Sequence, residues 1–285
     1  MADAPVFTRR AHRDGIVVEG PDARSWLQGQ ITQDIETLAD GESRLTLVLS
    51  PQGKVESYCR VTSLGDEALL LDTETGFGSA LAERLRRFKL RVKVSLEEVA
   101  VVCDELAGEG FESFGPPEIV SVDQAGIDLT PPTEDERFEV ARILAGVPRL
   151  GRELTERTIP QEAGNELIDR TVSFTKGCYT GQELVARLDS RGSNVPRRIQ
   201  LVRGTGTVAR NGVAGGLAVG DLIEVDGKDA GQLTSVAFDS DGESFVGLGL
   251  VRRAALSDHP VDAVVIDRDG NRLPATISPP AAQQG

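Results

Sequence analysis

The sequence predicts an α+β protein that ends in a small all-β domain, either a barrel or a sandwich. Strand and helix patterns alternate over the first 110 residues, whereas short apolar runs separated by glycine and aspartate turns follow Arg198. Regularly spaced short strands of the second kind are typical of small barrels and sandwiches. A length of 285 residues indicates about two domains, or three small ones.

The amino-terminal part follows the order strand, helix, three strands, helix, strand. Apolar residues two apart predict a strand, and apolar residues three or four apart predict a helix. Proline at a first helical position marks the first helix, and the turn at Pro51–Gly53 predicts a hairpin. The predicted elements are a strand at 15–19, a helix over 21–31, strands at 45–49, 55–61 and 68–71, a helix through 81–88, and a strand at 89–94.

The later segments are predicted from breaks in the pattern as much as from periodicity. A stretch rich in glycine and proline at 108–117 predicts a domain boundary. Thr133–Glu136 has the spacing of a capping box before a helix that ends at Gly146. Further predictions are a short strand at 171–174, a helix over 182–188, and strands at 217–225, 232–238, 245–251 and 261–266.

Composition argues against several classes of function. Acidic residues outnumber basic ones, 45 to 31, and the net charge of −14 disfavours capture of nucleic acid or of an anionic membrane. The amino terminus lacks the basic and apolar regions of a secretory leader, and no apolar run reaches the roughly 20 residues that cross a bilayer. We therefore expect a cytoplasmic protein without nucleic-acid or membrane partners. A monomer is favoured, although the sequence does not fix the oligomeric state.

The cysteines and histidines do not form a metal-binding pattern. Cys59, Cys103 and Cys178 are far apart and lack Cys-x-x-Cys spacing, so the sequence predicts neither a disulfide framework nor a zinc site. His12 and His259 lie near opposite ends of the chain, which excludes a histidine-rich metal site. We expect reduced thiols and no bound metal.

One cysteine lies in an unusual local sequence, Lys176–Glu183. Cys178 stands between two glycines, two residues after Lys176 and shortly before the predicted helix. The positive end of a helix dipole and the ammonium of Lys176 both favour the thiolate, which is the form that attacks electrophiles. The alternative is a small buried cysteine in a glycine-rich turn, and for a single cysteine this alternative is the commoner one.

The eight-residue string resembles the signature of the YgfZ family, folate-binding proteins related to the T-protein (aminomethyltransferase) of the glycine cleavage system. Three further blocks resemble that family and occur in the family's order: Leu27–Asp34, Ser50–Val55 and Ile159–Gly164. Beyond Arg198 the similarity is one of general character only.

The resemblance implies two ferredoxin-like α+β lobes and a carboxy-terminal β-barrel, arranged as a ring around a folate-binding channel as in T-protein. Applied to this chain, residues 1–44 and 111–197 form the first lobe, 45–110 the second lobe, and 198–285 the barrel. The resemblance also implies a tetrahydrofolate-binding accessory factor for the assembly or repair of iron–sulfur enzymes. Folate and iron–sulfur client or assembly proteins are then the expected partners.

The resemblance also implies which residues form the site. T-protein-like chains carry a glutamate in a Glu-Ala-Gly string that hydrogen-bonds the pterin of folate, and Glu162 stands at that position. A carboxylate pairs well with the adjacent ring N–H and amino group of a pterin. We expect Cys178 and Lys176 to act in the chemistry. The expected folate-binding residues, besides Glu162, are Gly177, Tyr179, Gly181, Gln182, Glu183 and Arg187, and Arg197 and Arg198 also lie near the motif.

Three alternatives remain open. A folate-dependent aminomethyltransferase is disfavoured because T-protein follows its glycine turn with paired aspartates, one of them catalytic, whereas this chain has Glu56-Ser57. A displacement on the ångström scale, which the longer glutamate arm causes, costs on the order of 10²-fold in rate. A thiol redox protein would pair Cys178 with Cys59 or Cys103, and a folate-independent interaction module would bind no ligand.

Overall fold

The computed structural model describes residues 7–108, 113–120, 136–190, 192, 194–205, 216–238 and 244–280. The described residues form one seven-stranded sheet, one closed barrel and several short helices. The sheet strands are β1 (Phe7–Glu19), β2 (Ser43–Leu49), β3 (Val55–Ser63), β4 (Ala68–Glu74), β5 (Ser95–Ala107), β6 (Ser113–Phe114) and β7 (Glu118–Val120). The helices are α1 (Ala23–Gln28), α2 (Gly78–Phe88), α3 (Glu136–Ala145), α4 (Asn165–Thr171) and α5 (Gln182–Asp189), with 3₁₀ turns at Pro160–Ala163 and Arg253–Ala255.

The sheet is antiparallel and apolar on both faces. Its strand order is β2-β3-β4-β1-β5-β6, with β7 paired to β5. Successive side chains of a strand point to opposite faces, so Val48 of β2 packs with α1 and α2, whereas Leu47 and Leu49 pack with α3, α4 and α5. The sheet therefore separates two cores. The core that contains Leu47 and Leu49 includes residues from three of the four blocks identified in the sequence.

The sheet continues across the predicted boundary between residues 44 and 45. Strand β1 pairs with β4, and it also pairs with β5 over its whole length, from Phe7 opposite Ala107 to Glu19 opposite Ser95. Residues 7–44 and 45–107 consequently share one sheet, and the division of the chain into lobes stays a prediction.

The carboxy-terminal domain is a closed antiparallel barrel that begins at Arg197. Its strands are β8 (Arg197–Thr205), β9 (Leu222–Val225), β10 (Lys228–Phe238), β11 (Ser244–Arg252), β12 (Val261–Ile266) and β13 (Arg272–Ser278). Their order around the barrel is β10-β11-β8-β13-β12-β9. Closure removes the exposed sheet edges that a sandwich would leave. The expected α+β class with a carboxy-terminal β-barrel is confirmed.

Two predicted strands are absent, for local reasons. Thr171 is the last residue of α4, where its hydroxyl donates to the Leu167 carbonyl at 2.6 Å, and residues 172–174 follow the helix without forming a strand. Residues 89–94 are irregular, because Arg91 has a φ of 57° and the Lys93 N–H donates to the Asp22 carboxylate at 2.7 Å. Strand β13 has no counterpart among the predicted strands; it contains Pro274, and proline inside an apolar run is unusual in a strand. The predicted capping box at 133–136 lies largely outside the described residues.

Candidate functional site

The four blocks identified in the sequence meet around the segment that joins α4 to α5, here called the cysteine loop (residues 172–181). This loop is bonded to the first block at several points. The Ser173 N–H donates to the Thr32 carbonyl at 3.0 Å, and the Thr180 N–H donates to the Gly29 carbonyl at 3.2 Å. The Thr32 hydroxyl donates to the Thr171 carbonyl at 2.6 Å. The cysteine loop therefore lies along the chain segment that follows α1.

Lys176 makes the strongest connection between these two segments. Its ammonium donates to the carbonyls of Gln28, Ile31 and Gln33 at 2.7, 2.9 and 2.8 Å. An ammonium has three N–H donors, so all three are used. The side chain is buried, and desolvation lowers its pKa to about 8, although the charges of Asp34 and Glu36 oppose that shift.

These contacts give Lys176 a role that its sequence position did not predict. We expected its ammonium to share a face with the Cys178 thiol and to lower the thiol pKa. The structure instead shows the ammonium enclosed by the carbonyls of residues 28–33. Lys176 thus fixes the cysteine loop in place, while its effect on the thiol stays a prediction.

The second block, the hairpin turn between β2 and β3, packs directly against the start of α5. Gly181 has a φ of 84°, and a Cβ atom there would lie 2.5 Å from the Ser50 carbonyl oxygen. A Cβ atom on Gly53, whose φ is 75°, would lie 2.7 Å from the Leu184 Cβ. Only glycine combines positive φ with this close approach. The two glycines explain how the turn and the helix come into contact.

The third block adds a buried carboxylate. Glu162 lies in the 3₁₀ turn Pro160–Ala163, and its side chain accepts from the Ile159 N–H at 3.0 Å and from Arg197 Nε at 2.9 Å. The neighbouring Gln161 donates to the Val185 carbonyl of α5 at 3.1 Å. The Val55 N–H donates to the Thr158 carbonyl at 3.0 Å, which attaches the block to β3.

The three thiols differ in exposure. Cys178 is exposed, whereas Cys59 and Cys103 are buried in the sheet. Burial raises the pKa of Cys59 to about 12 and also raises the pKa of Cys103. Cys178 lies four residues before α5, in an irregular loop between two helices, and not in the predicted turn from strand to helix. The exposed thiol is therefore the one located where the four blocks meet.

The other predicted site residues divide into two groups. Gly181 and Gln182 shape the loop, because the Gln182 N–H donates to the Tyr179 carbonyl at 3.3 Å and its side chain accepts from the Tyr179 N–H at 3.4 Å. Tyr179 is buried, and burial raises the pKa of its phenol to about 12. Exposed positions are occupied by Gly177, Glu183 and Arg187.

Comparisons with known proteins agree with the motifs. No protein-family model matches the chain. An uncharacterised protein of Haemophilus influenzae is 34% identical over 191 residues, which are 63% of this chain and 67% of that relative. The tRNA-modifying protein YgfZ of Edwardsiella ictaluri is 28% identical over 93% of this chain and 88% of its own length. The chain belongs to the YgfZ family.

Two further similarities place this YgfZ-family chain in a wider context. A mitochondrial homologue of the iron–sulfur cluster assembly factor IBA57 from Neurospora crassa is 28% identical over 65% of this chain and 51% of that relative. The crystal structure of the glycine cleavage system aminomethyltransferase T from Bartonella henselae superposes with a TM-score of 0.70 at 17% identity, covering 99% of this chain and 88% of that one. The second similarity establishes a T-protein-like fold.

Glu56 and Ser57 stand in this chain where the family resemblance places the aspartate pair of T-protein. Glu56 accepts from Arg84 Nε at 2.5 Å, and the same guanidinium donates to the Leu49 carbonyl at 3.2 Å. It also lies 3.6 Å from the centre of the Phe88 ring. Ser57 is buried, with its oxygen 3.1 Å from the Cys59 sulfur. Glu56 is therefore ion-paired with Arg84, and Ser57 is enclosed within the sheet.

Several residues of this site could not have been identified from the sequence of this YgfZ-family chain alone. Arg84 belongs to a run of basic residues that resembles a solvated surface, yet it is buried and bonded to Glu56. Gln161 has a buried side-chain oxygen without a hydrogen-bond partner among the described residues.

The described residues contain no cluster of metal-binding side chains and no helix long and apolar enough to span a membrane.

Proposed function

We propose that this chain is a tetrahydrofolate-binding accessory factor in the assembly or repair of iron–sulfur enzymes, and that the thiol of Cys178 is its working group. The observation that carries the proposal is the position of Cys178, the exposed thiol on a loop where all four blocks meet. Relatives named for iron–sulfur cluster assembly and for tRNA modification support this class of function. The proposed setting is the cytoplasm.

The thiol is suited to transient rather than permanent chemistry. Fe–S clusters usually need four thiolate ligands, and the other two cysteines of the chain are buried in the sheet. A single exposed thiol instead suits reaction with a sulfur species or with a partner's cluster. Lys176 would position the loop for that encounter through its bonds to residues 28–33.

The third block fits the recognition of a pterin. Gln161 and Glu162 are consecutive buried residues whose side-chain oxygens can accept hydrogen bonds, and the ring N–H and amino group of a pterin are adjacent donors. One oxygen of Glu162 accepts from the Ile159 N–H and the other from Arg197 Nε, so each keeps a further lone pair. Gly177, Tyr179, Gly181, Gln182, Glu183 and Arg187 complete the proposed folate contacts. Bound tetrahydrofolate would supply a carrier for a one-carbon unit.

The alternatives have less support. An aminomethyltransferase needs a free carboxylate near the folate, and Glu56 is held by Arg84 at 2.5 Å. A thiol redox protein needs a second reactive thiol, and burial raises the pKa of both Cys59 and Cys103. We therefore place both alternatives behind the accessory factor.

Calorimetric titration with tetrahydrofolate tests the folate half of the proposal. We expect saturable binding by the wild-type chain and at least tenfold weaker binding by Glu162→Gln, a loss of about 1.4 kcal/mol. Glu166→Gln, on the exposed side of α4 and paired with Arg170, is the matched control and should bind normally. No detectable binding by the wild-type chain would exclude the accessory factor and the transferase together.

Complementation tests the thiol half. In a strain that lacks the protein, Cys178→Ser should fail to restore iron–sulfur enzyme activity while its tetrahydrofolate affinity stays within twofold of wild type. Cys103→Ala, which removes a buried thiol, should restore activity. Full restoration by Cys178→Ser would show that the cysteine is not the working group.

A further inference from the structure

A cavity lies between the barrel and the segments that flank α4 and α5, apart from the cysteine loop. Its volume is about 370 Å³, which falls within the range of small-molecule sites, about 300–1,000 Å³. Its lining comes from Asn165 at the start of α4, from Gly192 and Val195 after α5, and from the barrel. Helix α5 has eight residues and is about 12 Å long, so the cavity and Cys178 lie near its opposite ends.

Two arginines from the barrel line this cavity. Arg198 belongs to β8, and Arg253 follows β11 and is tied to the start of β8, because its N–H donates to the Pro196 carbonyl at 2.9 Å. Burial lowers the pKa of Arg198, and the charge of Arg253 lowers it further. Both arginines line the same cavity, so an anion bound in it would interact favourably with both positive charges.

The remaining lining suits an organic ligand. Asn165, Gln200 and Ser257 offer hydrogen-bonding groups, and Val195 and Leu256 offer apolar contact. Asp258 contributes one negative charge, which leaves a net positive lining. Binding sites typically combine a few polar groups with apolar walls in this way.

The charge of the whole chain limits the size of the ligand. With a net charge of −14, the protein repels large polyanions at a distance. A small anion experiences mainly the two nearby arginines, because charges beyond about 8–10 Å are screened at physiological ionic strength. The cavity therefore favours a small molecule over a nucleic acid.

We propose that this cavity binds a small organic anion, bearing a carboxylate or a phosphate group, through the guanidinium groups of Arg198 and Arg253. Neither Glu162 nor Cys178 lines this cavity. It does not depend on the proposed folate function, and it would make the barrel a second ligand-binding part of the molecule.

Calorimetry with glutarate and with inorganic phosphate, at constant ionic strength, tests the proposal. We expect at least one of them to bind saturably to the wild-type chain and to bind at least tenfold more weakly to Arg253→Met. Arg253 is exposed, so the variant should fold normally. The matched control is Arg252→Met, which alters the adjacent residue, an exposed arginine paired with Asp229 outside the cavity.

The outcomes separate clearly. Binding of phosphate alone identifies a phosphate-bearing ligand, and binding of glutarate alone identifies a carboxylate-bearing one. Arg198→Met should weaken the same binding, which shows that both guanidinium groups act on one ligand. Absence of binding to the wild-type chain, or equal binding by Arg252→Met and Arg253→Met, would overturn the proposal.

Discussion

Replacing Lys176 with methionine tests whether the buried ammonium holds the cysteine loop in place. The change keeps the length and apolar stem of the side chain but removes its three N–H donors. The carbonyls of Gln28, Ile31 and Gln33 then lose the hydrogen bonds that they accept from Lys176. Three hydrogen bonds from a charged donor contribute about 5 kcal/mol in all. Desolvation of the ammonium, which lowers its pKa to about 8, offsets part of this. We expect the free energy of unfolding to fall by about 2–3 kcal/mol at pH 7.

The assay is equilibrium urea unfolding of three chains: wild type, Lys176→Met and Lys228→Met. Lys228 is an exposed lysine at the start of β10, so its replacement should change stability by less than about 0.5 kcal/mol. A Lys176→Met chain that unfolds like the Lys228→Met control would refute our reasoning about the loop.

The difference in stability between wild type and Lys176→Met should depend on pH. The pKa of Lys176 is lower in the folded chain, about 8, than its ordinary value of 10.5. Between these values the unfolded chain binds more protons, so the stability of wild type should rise with pH relative to Lys176→Met. Timed alkylation of Cys178 at pH 7 in the variant checks the separate prediction that Lys176 makes the thiol more reactive, because slower labelling than in wild type is then expected.

Three further results are expected. Gly181→Ala should destabilise the chain by more than about 2 kcal/mol in urea, because its φ is 84° and the Ser50 carbonyl is too close, whereas Gly177→Ala, with open space around it, should be near neutral. Burial disfavours the ionised form of Glu139, but its carboxylate accepts hydrogen bonds from a nearby arginine and lies close to further arginine charges. Together these interactions lower the pKa of Glu139 to about 2. Glu139→Gln should therefore lose about 2 kcal/mol at pH 7 and converge with wild type as the pH falls from 4.5 to 2, while exposed Glu136→Gln should unfold like wild type throughout. Peptide mapping after brief alkylation at pH 7 should show Cys178 labelled ahead of the two buried cysteines.

The sequence by itself determined the elements whose signals are local. The hairpin of β2 and β3 is specified by the turn at Pro51–Gly53 and by apolar residues on either side of it. Helix α5 begins at Gln182, as its composition predicts, because the preceding Gly181 takes up the positive φ that starts the turn. The family motifs are likewise strings of adjacent residues, so the family and its T-protein-like fold were evident before any coordinates.

The tertiary structure alone decided what those strings do together. The bonds of Lys176 reach carbonyls more than 140 residues earlier in the chain, and a backbone carbonyl leaves no trace in the identity of its side chain. Arg84 lies near the exposed Arg86 and Arg87 in α2, yet tertiary packing buries it against Glu56. The alternation of apolar and basic residues over 89–94 did not produce a strand, because Arg91 adopts a positive φ and a strand also needs a partner in register. Periodicity records what each residue prefers locally, whereas long-range packing decides which of those preferences are satisfied.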